Sequence, residues 1–294
     1  MRYIDFCDES LSQIVLGTYG FCERIDDNTA FDIMNLYIEN GGNVLDTARS
    51  YADGEAERLV GKFIKEKGIR DKVFISTKCS FPHKEDMHIS RLTPQEIEDD
   101  IDKSLIALGV DTIDMLWLHR DDERKCVRHM IDALNNMVQK GKIRNFGASN
   151  WTFDRIDSAN RYAYESGRDG FIASQVHYNL ASCSMVWDDT VVILDEDEKK
   201  RYENEGFPIF AYSPQAKGFF EKYSEGILSL KAKERYLCEK TVKTYAMIKV
   251  EAERTGDTIS YTNLRLLTES ISCDVFPVVG ASSVKQLKSI LNIK

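Results

Sequence analysis

Eight short apolar or β-branched runs punctuate this chain, and an amphipathic stretch of helical period follows them in turn. The patterns predict strands at 14–18, 43–46, 73–77, 113–118, 143–148, 172–176, 208–212 and 275–279. Helices are expected at 29–40, 55–67, 93–108, 126–140, 152–165 and 195–205, with a longer helical block at 232–270 broken near Gly256. Such βα alternation implies parallel strands joined by helical crossovers, which leaves an open doubly wound sheet or a closed barrel.

The placement of polar residues decides between the two. Asp46, Lys78, His119, Ser149, Gln175 and Tyr212 each fall at or just past the C-terminal end of a different predicted strand. In a (β/α)8 barrel those ends converge on one mouth, so residues distant in sequence meet in one site. In an open sheet only the strands beside the switch point would contribute, and the phosphate-binding GxGxxG pattern is absent after the first strand. The expected fold is a (β/α)8 TIM barrel, with residues 1–294 forming one domain. Segments 2–6 and 14–17, separated by Cys7-Asp8-Glu9-Ser10, suggest an N-terminal β-hairpin that closes the bottom of the barrel. Connections at 80–92, 179–194 and 217–230 are longer than βα loops need to be and are expected to overhang the mouth.

With 43% apolar residues, no run approaches the roughly 18 needed to span a membrane, and the N-terminus lacks the basic-then-apolar pattern of a signal peptide. A cytoplasmic protein without a membrane partner is expected. A net charge of −9 argues against a nucleic-acid partner, because basic runs such as Lys231-Ala232-Lys233-Glu234-Arg235 are interleaved with acids and read as a solvated helix face. The seven cysteines are scattered without a CxxC pair and read as reduced, mostly packed thiols.

Within "GGNVLDTARSYADGEAE", residues 41–57, Asp46 follows a short apolar strand and Tyr51 comes one loop later. Asp46 with Thr47 also reads as a helix cap. Lys78 ends the apolar run Val73-Phe74-Ile75 and needs an anionic partner there; Asp46 is the available one, as a structural salt bridge or as part of a site. A phenol titrates near 10 in water, and an adjacent ammonium favours the phenolate, which would make Tyr51 a usable general acid. His119, in "LWLHRDD", is either a satisfied core histidine or a group that orients a carbonyl oxygen. Glu57 reads as structural.

At this point the chain resembles the aldo-keto reductase superfamily. "LDTARSYADGEAERLVGKF" and "GKIRNFGASNW" are similar to the family's two signatures, and "SQVHYNL", "AYSPQAKGFF" and "VVGASSVKQL" to its later cofactor segments. The family's catalytic tetrad corresponds to Asp46, Tyr51, Lys78 and His119. The resemblance implies an NADPH-dependent carbonyl reductase, with NADH as the other cofactor to consider and a small carbonyl compound as its partner. It places Ser149, Asn150 and Gln175 on the nicotinamide carboxamide, Tyr212 against the ring, Ser213, Gln215 and Gly218 along the pyrophosphate and ribose, and Ser282 and Gln286 at the adenosine end. Pocket walls would come from Tyr19, Phe21, Phe81, Trp151 and Trp187. Where the family usually has a glutamate and an asparagine to clamp the adenine, this chain has Ser289 and Ile290, and Gln286 stands where many members carry arginine. The family also resembles the β subunits that accompany potassium channels, so a cofactor-holding regulatory subunit is the alternative; the intact tetrad favours the enzyme.

Three further signals have two readings each. His83 and His88 flank an acidic pair, as a metal site or as a solvated loop. Cys79 is a redox-sensitive thiol or a packed one. Arg120 faces substrate anions or pairs with Asp121 or Asp122. No metal is expected.

Overall fold

All eight predicted barrel strands form, and each is hydrogen-bonded in parallel to the next. The computed structural model describes residues 1–83, 85–182 and 188–293. The barrel strands are β3 (Val15–Gly17), β4 (Val44–Asp46), β5 (Phe74–Cys79), β6 (Ile113–Leu118), β7 (Ile143–Ser149), β8 (Ser174–His177), β9 (Ile209–Tyr212) and β10 (Val275–Val279). The ring closes because β10 pairs with both β9 and β3.

Alternation along each strand sorts the side chains. Val15, Val44, Phe74, Met115, Trp117, Phe210 and Phe276 share one cluster inside the barrel. Their neighbours Leu16, Leu45, Ile75, Leu116 and Leu118 point outward and pack with helical residues such as Ile33, Leu59, Ile97 and Leu134. Burying each such large side chain contributes roughly 1.5–3 kcal/mol. The same parity carries Ser76 and Lys78 inward after Phe74, and His119 inward after Trp117. Gly147 makes room for this packing: a Cβ there would stand 2.5 Å from the Trp117 ring.

The helices between strands are α1 (Asp27–Glu39), α2 (Glu55–Lys67), α3 (Pro94–Leu108), α4 (Val127–Gln139), α5 (Phe153–Glu165) and α6 (Glu196–Glu205). Between β9 and β10 the chain forms α7 (Phe219–Ser224), α8 (Leu230–Tyr236), α9 (Glu239–Thr255) and α10 (Ile259–Glu269), and α11 (Val284–Ile290) completes the last βα unit. The expected break at Gly256 is present, where left-handed backbone ends α9. A second break at Leu237-Cys238, both extended, separates α8 from α9.

The N-terminal hairpin is β1 (Tyr3–Phe6) with β2 (Glu9–Ser12), not with 14–17 as expected. Cys7 and Asp8 both adopt positive φ, so the chain reverses in two residues and Glu9 pairs at once with Phe6. That releases Val15–Gly17 to join the barrel. Phe6 then plugs the lower end, with its ring 5.5 Å from Phe210 and 5.6 Å from Phe276. Among the described residues, no helix is long and apolar enough to cross a membrane.

Candidate active site

Adjacent strands β4 and β5 deliver Asp46 and Lys78 to the mouth. Lys78 Nζ lies 2.5 Å from Asp46 Oδ2 and also donates to the Thr47 carbonyl at 2.8 Å. Asp46 Oδ1 accepts from Ser76 Oγ at 2.8 Å and from Gln175 Nε2 at 3.1 Å, while Trp117 Nε1 donates to Ser76 Oγ at 2.7 Å. These hydrogen bonds make an ionised carboxylate tolerable so far from water. Burial works against the Lys78 ammonium, yet Asp46 and then Tyr51 outweigh it and hold its pKa above the ordinary lysine value.

Tyr51 opens a short turn, Tyr51–Gly54, whose Ala52 and Asp53 are left-handed. Arg49 braces the turn by donating to the Asp53 carbonyl at 2.7 Å and pairing at 2.7 Å with Glu57, which also accepts from Thr77 Oγ1. A Cβ at Gly54 would displace that guanidinium from its present position, and the φ of +94° favours glycine there. Glu57 is structural as expected, and it acts by fixing this turn.

The Lys78 ammonium lies 5.0 Å from the Tyr51 ring centroid. Burial raises the Tyr51 pKa, and Lys78 pulls it down without cancelling that effect. The phenol therefore stays above its ordinary value, where the charge argument from sequence expected it to fall; removal from water is the larger influence. His119 is 6.1 Å from the Tyr51 ring, centroid to centroid. Burial, followed by Arg120 and Lys78, drives its pKa well below the usual histidine value, so the imidazole is neutral at pH 7. Its Nδ1 is buried without a hydrogen-bond partner among the described residues.

Ser149 ends β7 beside Gln175, the second residue of β8, and Asn150 follows Ser149 in left-handed backbone. Asn150 Oδ1 accepts from Tyr212 Oη at 2.7 Å, and its Nδ2 donates to Ser149 Oγ at 3.1 Å. Tyr212 ends β9 with its ring edge-on to His177, a buried residue that sequence reasoning passed over. Ser213 and Gly218 have positive φ in the loop to α7, where Gln215 is buried and donates to the Ser260 carbonyl at 3.4 Å. At the other end of the mouth, Gln286 Oε1 accepts from Ser282 N at 2.8 Å and from Ser282 Oγ at 2.9 Å.

Lys217, in the β9–α7 loop, is exposed at its surface, and partial removal from water followed by Arg235, Lys231, Arg24 and Lys222 depresses its pKa. A concentration of cations that repel one another suits an anionic ligand. With the amide and hydroxyl donors beside Tyr212, this donor set fits a nicotinamide dinucleotide. Arg235 was hidden by the solvated-face reading of 231–235; it is in fact buried. Its run alternates charge like a surface helix, and only the packing of α8 shows which side faces in.

The expected pocket walls divide. Tyr19 is 63% exposed beside Tyr51, with ring centroids 5.3 Å apart, and Phe81 meets the His119 ring at 4.8 Å. Phe21 and Trp151, 1% and 0% exposed, pack in the core with the barrel's outward residues and present no face to the mouth. Trp187 lies outside the described residues. Arg120 lies over Phe81, donates to Thr190 Oγ1 at 3.1 Å and pairs with Asp188 at 3.6 Å. Asp121 and Asp122, its expected partners, are taken by Arg155 and Arg124. A cleft of about 340 Å³ opens beside Asn150, Thr152, Thr190 and Val192, and none of the tetrad lines it. Among the described residues no group of His, Cys, Asp and Glu could hold a metal; His88 lies 3.6 Å from Asp189. Cys79 is fully buried and its thiol is pushed up to about 12, which makes it a packed thiol.

The sequence model of the aldo/keto reductase family matches residues 13–294. A probable aryl-alcohol dehydrogenase, AAD4 of Saccharomyces cerevisiae, is 24% identical over 88% of this chain and 80% of its own length. The aldo-keto reductase YhdN of Bacillus subtilis is 29% identical over 54% of this chain and 50% of its own. Among solved structures, a thermostable aldo-keto reductase, Tm1743, bound to the inhibitor epalrestat, superposes with a TM-score of 0.74 at 22% identity, covering 99% of this chain and 93% of that one.

Proposed function

Because this chain belongs to the aldo/keto reductase family and is an oxidoreductase acting on carbonyls, we propose that it reduces an aldehyde or ketone to the alcohol, with NADPH as reductant and Tyr51 as proton donor. The observation that carries this reading is the chain of contacts from buried Asp46 through Lys78 to Tyr51, with neutral His119 beside them.

When bound, the reduced nicotinamide supplies a hydride to the carbonyl carbon. Tyr51 gives its proton to the carbonyl oxygen as negative charge grows there. The Lys78 ammonium stabilises the phenolate left behind, and Asp46 keeps that ammonium charged and fixed. His119, being neutral, can present an N–H to the same oxygen and orient it. Ser149, Asn150 and Gln175 would hold the carboxamide, with donors and acceptors for its amide. Tyr212 would cover the ring. Ser213, Gln215 and Gly218 would line the diphosphate and ribose beside the cations around Lys217, and Ser282 with Gln286 would meet the adenosine.

An aryl carbonyl suits the mouth, since the rings of Tyr19, Tyr51 and Phe81 surround the place of reaction; the yeast relative's name points to the same class. Following NADPH absorbance with aromatic aldehydes tests the proposal. Turnover that disappears in Tyr51→Phe while cofactor binding persists supports it. Cofactor binding with no turnover on any carbonyl would favour the regulatory alternative.

A further inference from the structure

We infer that Glu221 sets how strongly this protein tells NADPH from NADH, by holding a carboxylate beside the place of the adenosine 2′-phosphate. The inference rests on the reading above that α11 carries the adenosine end. Gln286 and Ser289 are three residues apart on α11 and so share a face. Ser289 Oγ donates to Glu221 Oε1 at 3.3 Å, and Ser260 Oγ, from α10, donates to Oε2 at 2.8 Å. Glu221 is thereby pinned from two helices, one turn along from Gln286.

Both partners are neutral hydroxyls, and among the described residues Glu221 forms no ion pair. Its neighbour Lys222 donates instead to the Lys217 carbonyl at 2.9 Å. No direct salt bridge among the described residues therefore offsets the negative charge. A carboxylate accepts hydrogen bonds from a ribose 2′-hydroxyl but repels a 2′-phosphate, the same physics by which dinucleotide sites elsewhere read this position. Gln286 supplies no opposing cation, and its Oε1 is already engaged by Ser282. Cations around Lys217 would serve the diphosphate, which both nucleotides share, so their attraction does not discriminate.

The test is titration of NADPH, NADH, 2′,5′-ADP and 5′-AMP into the wild-type protein, Glu221→Gln, Glu221→Ser and Gln286→Ala, read by intrinsic fluorescence and calorimetry. Neutralising one unit charge beside the 2′-phosphate should tighten NADPH and 2′,5′-ADP by about tenfold and should not tighten NADH or 5′-AMP. Glu221→Ser removes the same charge with a smaller side chain and should move the ratio the same way. If Gln286→Ala weakens the nucleotides while both Glu221 variants leave the NADPH-to-NADH ratio unchanged, the adenosine end is where we place it and the role of Glu221 is refuted. If none of the three variants changes any binding constant, the adenosine placement fails, and this inference with it.

Discussion

Lys78 Nζ lies 2.5 Å from Asp46 Oδ2, and both side chains are 2% exposed. The two residues are brought together because β4 and β5 pair with Asp46 opposite Ser76, two positions before Lys78 on the same inward face. A buried pair of this kind adds little net stability over an apolar replacement, whereas removing one partner strands a charge. Under the proposed mechanism, its place at the mouth serves the proton chemistry of Tyr51.

Lys78→Met should therefore lose activity and also destabilise the fold by about 3–5 kcal/mol, because Asp46 is left buried without a counter-charge. Urea unfolding gives the stability, and steady-state reduction of an aromatic aldehyde gives the rate. A stable and fully active variant would place the pair outside the chemistry.

Tyr51→Phe removes one oxygen from a half-buried ring and keeps its packing against Tyr19 and His119. A rate loss of about 10²-fold or more is expected, with NADPH affinity retained. Near-normal turnover would mean that another group delivers the proton.

Stability should fall in mild acid. Burial is the leading cause that depresses the pKa of His119 well below 6.5 and that of His177 to about 4. Both are neutral in the fold while the unfolded chain protonates near 6.5, so the unfolded state binds more protons below that value. Their contribution is present above about pH 6.5 and is lost as the pH falls toward 4, by roughly 1.4 kcal/mol per pH unit for each histidine. Urea midpoints between pH 7.5 and 5 should show the slope, reduced in His119→Asn and in His177→Asn. An identical slope in both variants would rule out this origin.

NADPH should bind in preference to NADH, but by a narrow margin, because Gln286 cannot match a guanidinium against a 2′-phosphate and Ile290 is wholly buried. Phosphate recognition would rest on Ser282, Ser283 and Lys285, each charge-assisted hydrogen bond contributing roughly 1.5–3 kcal/mol. Ser282→Ala combined with Gln286→Ala should weaken NADPH in a fluorescence titration. Unchanged affinity would put the adenosine pocket elsewhere.

Strand positions, their parallel order and the placing of Asp46, Lys78 and His119 at strand ends were legible in the sequence because they follow from local spacing, whereas Tyr51, in a turn, was singled out by family resemblance. Period 2 along Phe74-Ser76-Lys78 states which side chains share a face, and a lysine ending an apolar strand calls for a carboxylate whatever the fold around it. The hairpin's second arm was misplaced because a left-handed pair at Cys7-Asp8 tightens the turn, and neither residue is a glycine that would announce it. Burial was not legible for Phe21, Trp151 or Arg235. Each lies where loop or helix packing, set by residues far along the chain, decides which side meets solvent. The same holds for Tyr51: its neighbour Lys78 could be foreseen, but the sign of its pKa shift depends on how much water the assembled mouth excludes, and that is a property of the whole tertiary enclosure.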